Sequence, residues 1–405
     1  MEFRKCSING ISYGTGTTEI GRAALRRKGV IVPEDPSPSA SGGRKKIPYV
    51  NFEDPRLTNK LDKGETNCLE AEFFLHLGLC HTVIPETVEG SDEVRLSASS
   101  PDEQALVSGA KYFGFSFESR GLGVARVRIS NKSMMTNKSA ESELVEYKIL
   151  DVLEFTSDRK RMSVIAQYPN GEFWILTKGA DNMIYPLLSK SKNHPDLLRD
   201  TTAHLESFGD DGLRTLTIAR RRLDASEYNK WSARFKAANS SLEEIEKRKN
   251  GKPNQIDALM SEIERDLVLL GATAIEDKLQ QHVPRAIANL MRASMKVWML
   301  TGDKQETAIN ISYACQLMDN DMKQIILNMD TLPTKEKLYA YLMESLHADP
   351  ADGNHRKAVV IDGECLEVTL LDDGCREAFL KLAMSCEAVV CCRVSPSQKA
   401  EVVTL

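Results

Sequence analysis

Apolar positions along the chain recur in two rhythms, one of period two and one of helical period, and their succession predicts the elements. The clearest strand signal runs from Leu144 to Gly179. Leu144 to Phe155 reads as a strand, Thr156 to Lys160 as a polar connection and Arg161 to Tyr168 as a second strand, and Pro169-Asn170-Gly171 then turns the chain into a third, Glu172 to Gly179. Helical spacing appears in Leu69, Phe73, Leu77 and Cys80, in the aromatic stripe Tyr228, Trp231 and Phe235, and in Ile256, Leu259, Met260 and Ile263. These stripes predict helices packed on the meander.

From Leu267 the pattern becomes strand alternating with helix. Leu267 to Ile275 is apolar on both faces, as for a strand in a covered sheet, and marks the expected return to a second domain. Val283, Ile287, Leu290 and Met291 supply a helix and Met295 to Leu300 a strand. Ala308, Ile311, Cys315 and Met318 give another helix, and strands follow at Ala358–Ile361 and Ala388–Cys392. The polar stretches divide these elements. Met1 to Gly10 reads as strand then turn, Pro33 to Pro48 as a flexible insertion, Gly121 to Glu143 as a solvated loop or ragged hairpin, Leu242 to Lys252 as an exposed helix and Asp319 to Lys357 as irregular.

Composition adds bounds. At 405 residues, with 41% apolar and 27% charged residues, the chain has room for two to three domains. A net charge of −5 implies no general attraction to nucleic acid or to an anionic membrane. The apolar runs fall short of the ~20 residues of a membrane helix, and the polypeptide as written reads as soluble. Nine scattered cysteines without a Cys-x-x-Cys pair indicate neither a disulfide framework nor a metal cage and suit a reducing cytosol. His76 and His81, five apart, do not share a helical face as metal ligands would, and are read as structural or exposed.

Candidate chemistry concentrates at turns. Lys296 to Asn310 is a strand, a Thr301-Gly302-Asp303 turn and a helix, a place where α/β proteins bind anions. Thr301 could donate its hydroxyl to a phosphoryl oxygen and Gly302 admit the backbone, while Asp303 caps the helix. Ser100-Pro101-Asp102-Glu103 has the form of a helix start, with Glu103 closing a capping box. The meander directs Phe155 and Lys178 to one sheet face, where an aromatic ring could stack on a base and the lysine reach phosphates. Core packing and a solvated surface are the plainer readings of the two. Arg214, in Asp211-Gly212-Leu213-Arg214-Thr215-Leu216, is either a bidentate phosphate contact or a surface ion pair, and Arg159 to Arg161 either a solvated turn or a phosphate contact.

The strings Ser100 to Leu106, Glu154 to Ser163, Thr177 to Asp181, Asp211 to Leu216, Leu300 to Asn310 and Ala388 to Lys399, in that order, resemble the motifs of type IV P-type ATPases, the phospholipid-translocating flippases. The resemblance implies an α/β chain. An α+β nucleotide-binding domain with an antiparallel sheet would span 13–266, with flexible insertions near 31–48 and 121–143, and a partial Rossmann-like phosphorylation domain of haloacid-dehalogenase type would span 267–405. Residues 1–12 would end an earlier segment of that domain and form a hinge.

By the same resemblance Glu103, Phe155, Lys178 and Arg214 hold ATP on one domain, and Thr301, Gly302, Asp303, Arg393 and Lys399 meet its phosphates on the other. Thr301, Asp303 and Lys399 act in catalysis. Met1 then reads as an internal methionine just past the phosphorylated aspartate, and the magnesium loop lies past Leu405, so ATP and Mg2+ are implied but the chain is expected to bind ATP without turnover. A phospholipid substrate, an accessory membrane subunit and the cytoplasmic side of a Golgi, endosomal or plasma membrane are implied for the intact protein. A soluble haloacid-dehalogenase-type phosphatase, or a non-catalytic nucleotide-binding module, is the alternative; the former would need Asp-x-Asp where the chain has Asp362-Gly363-Glu364.

Overall fold

The computed structural model describes residues 1–27, 30, 47–63, 68–87, 94–98, 100–132, 134–135, 139–347 and 356–405. Nearly all of the expected insertion at 31–48 lies outside them. The strands are β1 (Glu2–Ile8), β2 (Ile11–Tyr13), β3 (Ile84–Thr87), β4 (Val94–Ser97), β5 (Phe115–Gly121), β6 (Val124–Ile129), β7 (Glu143–Leu153), β8 (Arg161–Gln167), β9 (Phe173–Gly179), β10 (Arg214–Leu223), β11 (Val268–Glu276), β12 (Val297–Leu300), β13 (Lys323–Leu327), β14 (Lys357–Asp362) and β15 (Ala388–Cys392).

The chain divides into two compact units. The first is built on a nine-stranded sheet of order β2-β1-β11-β10-β9-β8-β7-β6-β5, antiparallel throughout, with β3 and β4 as a separate hairpin. The second carries a four-stranded parallel sheet of order β12-β15-β14-β13.

The meander β7–β9 forms as its alternation predicts. Gly171 takes φ +84° at the β8–β9 turn, which a side chain resists, and Asn170 Oδ1 accepts the Glu172 N–H at 3.1 Å. Alternate residues then enter two cores. Met162, Val164 and Leu176 meet the helices Leu69–Leu79 and Pro101–Tyr112, while Leu153, Ile165 and Ile175 meet the helices Ala225–Ser240 and Gln255–Ile263. The aromatic stripe is core, as expected: the Trp231 and Phe235 rings stack at 4.6 Å, and Trp231 Nε1 donates to the Leu259 carbonyl at 2.8 Å.

The structure departs from the sequence reading in five places. Leu267–Ile275 does not open the second unit; most of it is β11, seated between β1 and β10 in the antiparallel sheet. A central strand with helices on both faces carries the same two-sided apolar signature whichever sheet holds it. With β1 and β2 in that sheet as well, residues 1–12 are part of the first unit and the strands of the second begin at Val297.

Within 121–143, β6 is a regular strand: Ala125, Val127 and Ile129 are buried, while Arg126 and Arg128 face outward to Glu146 and Glu118. Its interleaved arginines hid the alternation. Asp319–Lys357 contains β13 and the helix Lys335–His347. The helix Leu69–Leu79 is buried nearly all round rather than along one face, with only Leu69 exposed and Glu72 half-buried.

Gly271 is required where it stands. Its φ is +153°, and a Cβ there would overlap the Ser7 carbonyl of β1. The backbones of β1 and β11 press together at that point.

Candidate functional site

The register of the first unit gathers the expected residues at one end of its sheet. β7 and β9 run in the same direction and β10 opposes them, with Leu153 opposite Ser163, Lys178 opposite Met162 and Ile218 opposite Lys178. Phe155 just past β7, Lys178 at the end of β9 and Arg214 at the start of β10 therefore share one edge.

Lys178 is buried at 5% exposure, and its Nζ donates to Glu103 Oε1 at 2.8 Å. Glu103 sits in the first turn of the helix Pro101–Tyr112. The expected capping box does not form. Ser100 accepts the Asp102 N–H, but Glu103 turns to Lys178, and its Oε2 accepts the Thr82 N–H at 3.1 Å and the Thr82 hydroxyl at 2.7 Å. A buried ammonium claims the carboxylate more strongly than an exposed backbone N–H does. Burial works to raise the Glu103 pKa, yet the Lys178 charge and hydrogen bond, with the Thr82 donors, outweigh it and hold it at about 2.

His81, one residue before Thr82, is fixed and neutral. Its Nδ1 accepts the Val83 N–H at 3.1 Å while Nε2 faces the Gly78 carbonyl at 2.9 Å, and burial, then the nearby Arg120 and Lys178 charges, lower its pKa to about 3. His76 is likewise buried and its pKa lowered to about 3, first by burial and then by Lys178. Both histidines are structural.

Phe155 is 59% exposed, an open aromatic face at the same end of the sheet as the buried cation. Arg214 is exposed and bridges Asp277 at 2.6 Å and Asp102 at 3.5 Å, which ties it to the helix turn that carries Glu103. Arg159 lies in the exposed turn 157–159 and Arg161 opens β8, but neither side chain is solvated: both guanidinium groups are buried on the Glu264 carboxylate, at 2.5 and 2.7 Å. Thr82, Asp102 and Glu264 escaped the sequence reading, since nothing local to them signals their partners.

In the second unit Thr301-Gly302-Asp303 follows β12 at the carboxyl edge of the parallel sheet. Thr301 N–H donates to the Cys391 carbonyl at 2.9 Å, Arg393 N–H to the Asp303 carbonyl at 2.9 Å and Val394 N–H to the Thr301 carbonyl at 3.1 Å, so the loops after β12 and β15 are laced together. Arg393 is exposed, with φ +53°.

Asp303 does not cap the following helix, Gln305–Ala314, whose N-cap position is Lys304. It accepts the Thr301 hydroxyl at 2.8 Å, and that hydroxyl accepts the Asp303 N–H at 3.1 Å, a two-residue turn that pulls the carboxylate back from the helix. Lys399, half-buried, lies in the helix Pro396–Val403, which opens with a capping box between Ser395 and Gln398. Asp362 ends β14 and is spent structurally: Oδ1 accepts the Cys365 N–H at 2.8 Å and Oδ2 the Met329 N–H at 3.3 Å. It forms one wall of a cavity of about 450 Å³ that also touches Lys304, Asn328 and Arg393. No group of three His, Cys, Asp or Glu residues fit to hold a metal ion occurs among the described residues.

A large antiparallel domain paired in one chain with a parallel sheet of haloacid-dehalogenase type is the architecture of P-type ATPase cytoplasmic regions. The family model described as P-type ATPase, cytoplasmic domain N, matches residues 72–282, just over half of the chain. The chain belongs to that family.

Among its relatives, phospholipid-transporting ATPase 10 of Arabidopsis thaliana is 41% identical over the whole chain, and probable phospholipid-transporting ATPase 11 of the same plant is 40% identical. A phospholipid-transporting ATPase of Schizosaccharomyces pombe is 39% identical. The chain spans about a third of the length of these relatives, 34%, 34% and 29% respectively. These likenesses do not favour a soluble haloacid-dehalogenase-type phosphatase or a non-catalytic nucleotide-binding module.

Proposed function

We propose that the first unit binds ATP and that the chain serves a P-type ATPase which moves phospholipid across a membrane. The observation that carries the reading is the buried Lys178–Glu103 pair at the same sheet end as the exposed ring of Phe155. Adenine stacks on Phe155, Lys178 supplies a fixed positive charge, Arg214 exchanges its carboxylate partners for phosphate, and Glu103 holds the lysine beside the base.

In the second unit Thr301, Gly302 and Asp303 meet the γ-phosphate, Arg393 faces the phosphates and Lys399 balances the charge of an aspartyl phosphate formed on an acceptor aspartate other than Asp303. That intermediate forms when a carboxylate oxygen bonds to the γ-phosphorus and the bond to the β–γ bridging oxygen breaks, releasing ADP. Positioning and electrostatics carry such a transfer, which is why separate loops contribute. ATP enters as its magnesium complex. The phospholipid, an accessory membrane subunit and a place on the cytoplasmic side of a Golgi, endosomal or plasma membrane complete the reading. The names of the relatives support the lipid.

Calorimetric titration of ATP into the chain, with and without magnesium, tests the site, with circular dichroism as the control for folding. Phe155→Ala is expected to weaken binding ~5- to 150-fold, the range of a lost ~1–3 kcal/mol stacking contact. A folded chain that takes up no ATP, or a Phe155→Ala variant that binds as tightly as the parent, overturns the assignment.

A further inference from the structure

Glu264 follows the helix Gln255–Ile263 and has no solvent exposure. Its Oε1 accepts from Arg159 Nη2 and from Ser163 Oγ, each at 2.5 Å, and its Oε2 accepts from Arg161 Nε at 2.7 Å. Two guanidinium groups thus converge on one buried carboxylate, far more polar investment than a helix end demands. Its purpose is legible in where the arginines lead. Arg159 also donates through Nη1 to the Glu154 carbonyl at 2.8 Å, the peptide immediately before Phe155.

The same loop is tightened from within. Arg159 N–H donates to Thr156 Oγ1 at 3.2 Å, Lys160 N–H to the Thr156 carbonyl at 2.8 Å, and Lys160 takes φ +47°. On the neighbouring strands Ser163 Oγ meets Thr177 Oγ1 at 2.9 Å, one residue before Lys178. Side chains alternate along a strand, so Ser163 and Thr177 face away from Lys178. Glu264 works from the far side of the sheet.

We infer that Glu264 is a positioning residue for nucleotide binding: through Arg159 it fixes the Glu154–Lys160 loop and so the exposed ring of Phe155. This rests on the ATP site proposed above. A carboxylate that only neutralised two arginines would not need one of them bridged to the loop backbone. Glu264→Gln keeps the shape and removes the charge, and Arg159→Met cuts the bridge while leaving Arg161 paired with Glu264.

The test is a double-mutant cycle read as ATP affinity on the full 405-residue chain. Glu264→Gln is expected to weaken ATP binding roughly fivefold or more in the parent, and to add nothing once Phe155 is alanine. Arg159→Met is expected to do the same. An unchanged affinity, or an equal loss in both backgrounds, overturns the inference, because the cluster then acts without the ring. Should Glu264→Gln fail to fold, Arg159→Met decides; should both fail, the cluster is a stability element and the inference falls. If the parent itself binds no ATP, the site reading has failed. If Phe155→Ala weakens binding and Glu264→Gln does not, only the positioning role has.

Discussion

Replacing Glu103 by glutamine leaves the buried Lys178 ammonium without a counter-charge, and the cost is legible in how stability varies with pH. The ordinary glutamate value of 4.5 falls to about 2 in the fold, against the opposing effect of burial, because of Lys178 and Thr82. Each tenfold change in proton affinity is worth ~1.4 kcal/mol, so the ionised form contributes about 3 kcal/mol of stability at neutral pH. The folded pKa is the depressed one. The contribution is therefore fully present above pH ~5 and is lost as the pH falls through 4.5 towards 2, with about 2 kcal/mol gone by pH 3.

The assay is urea unfolding of parent and Glu103→Gln at pH 7 and pH 3, followed by tryptophan fluorescence and circular dichroism. At pH 7 the variant is expected to be about 3 kcal/mol less stable, within the range for breaking a buried pair. At pH 3 the gap should narrow by about 2 kcal/mol, since the parent carboxylate is by then losing its advantage. Other carboxylates titrate in both proteins and cancel in the difference. A gap of the same size at the two pH values would refute the reasoning, for it would mean that the charge of Glu103 is not what the fold depends on.

Two further outcomes follow from geometry. Gly271→Ala should destabilise the first unit by about 2–3 kcal/mol, because the new Cβ overlaps the Ser7 carbonyl and the backbone at φ +153° resists a side chain; a melting temperature equal to the parent's would contradict this. Arg214→Ala should change stability by less than ~1 kcal/mol, as its pairs are exposed, while ATP affinity drops by about tenfold or more; calorimetry and thermal melts on the same samples separate the two effects.

What could be read ahead of the structure was local. The β7–β9 meander announced itself through alternation and a Pro-Asn-Gly turn, and Phe155, Lys178 and Arg214 through short strings around them. That three strands bring these residues to one sheet end is a matter of register, which no single string contains. Thr82 and Glu264 were out of reach for the same reason: Thr82 meets a partner 21 residues away, and Glu264 meets partners 101 to 105 away. Asp303 failed as a cap because Thr301, two residues earlier, competes for its carboxylate, a contest between side chain and backbone that helix-start rules do not weigh. The two-sided apolar run at β11 was read correctly as covered on both faces but could not reveal which sheet covered it.

The place of β1 in that sheet has a bearing on how the chain is made. Phe3 pairs with Ile275, so β1 is made long before the strand that seats it. β7, β8 and β9 close onto one another over short distances and can fold as they emerge, whereas one edge of β1 waits for β11. A nascent chain stalled short of Val268 carries an apolar strand with one open edge, the kind of surface that chaperones hold and that aggregates recruit. The pressed contact at Gly271 then joins residues that are made far apart in time.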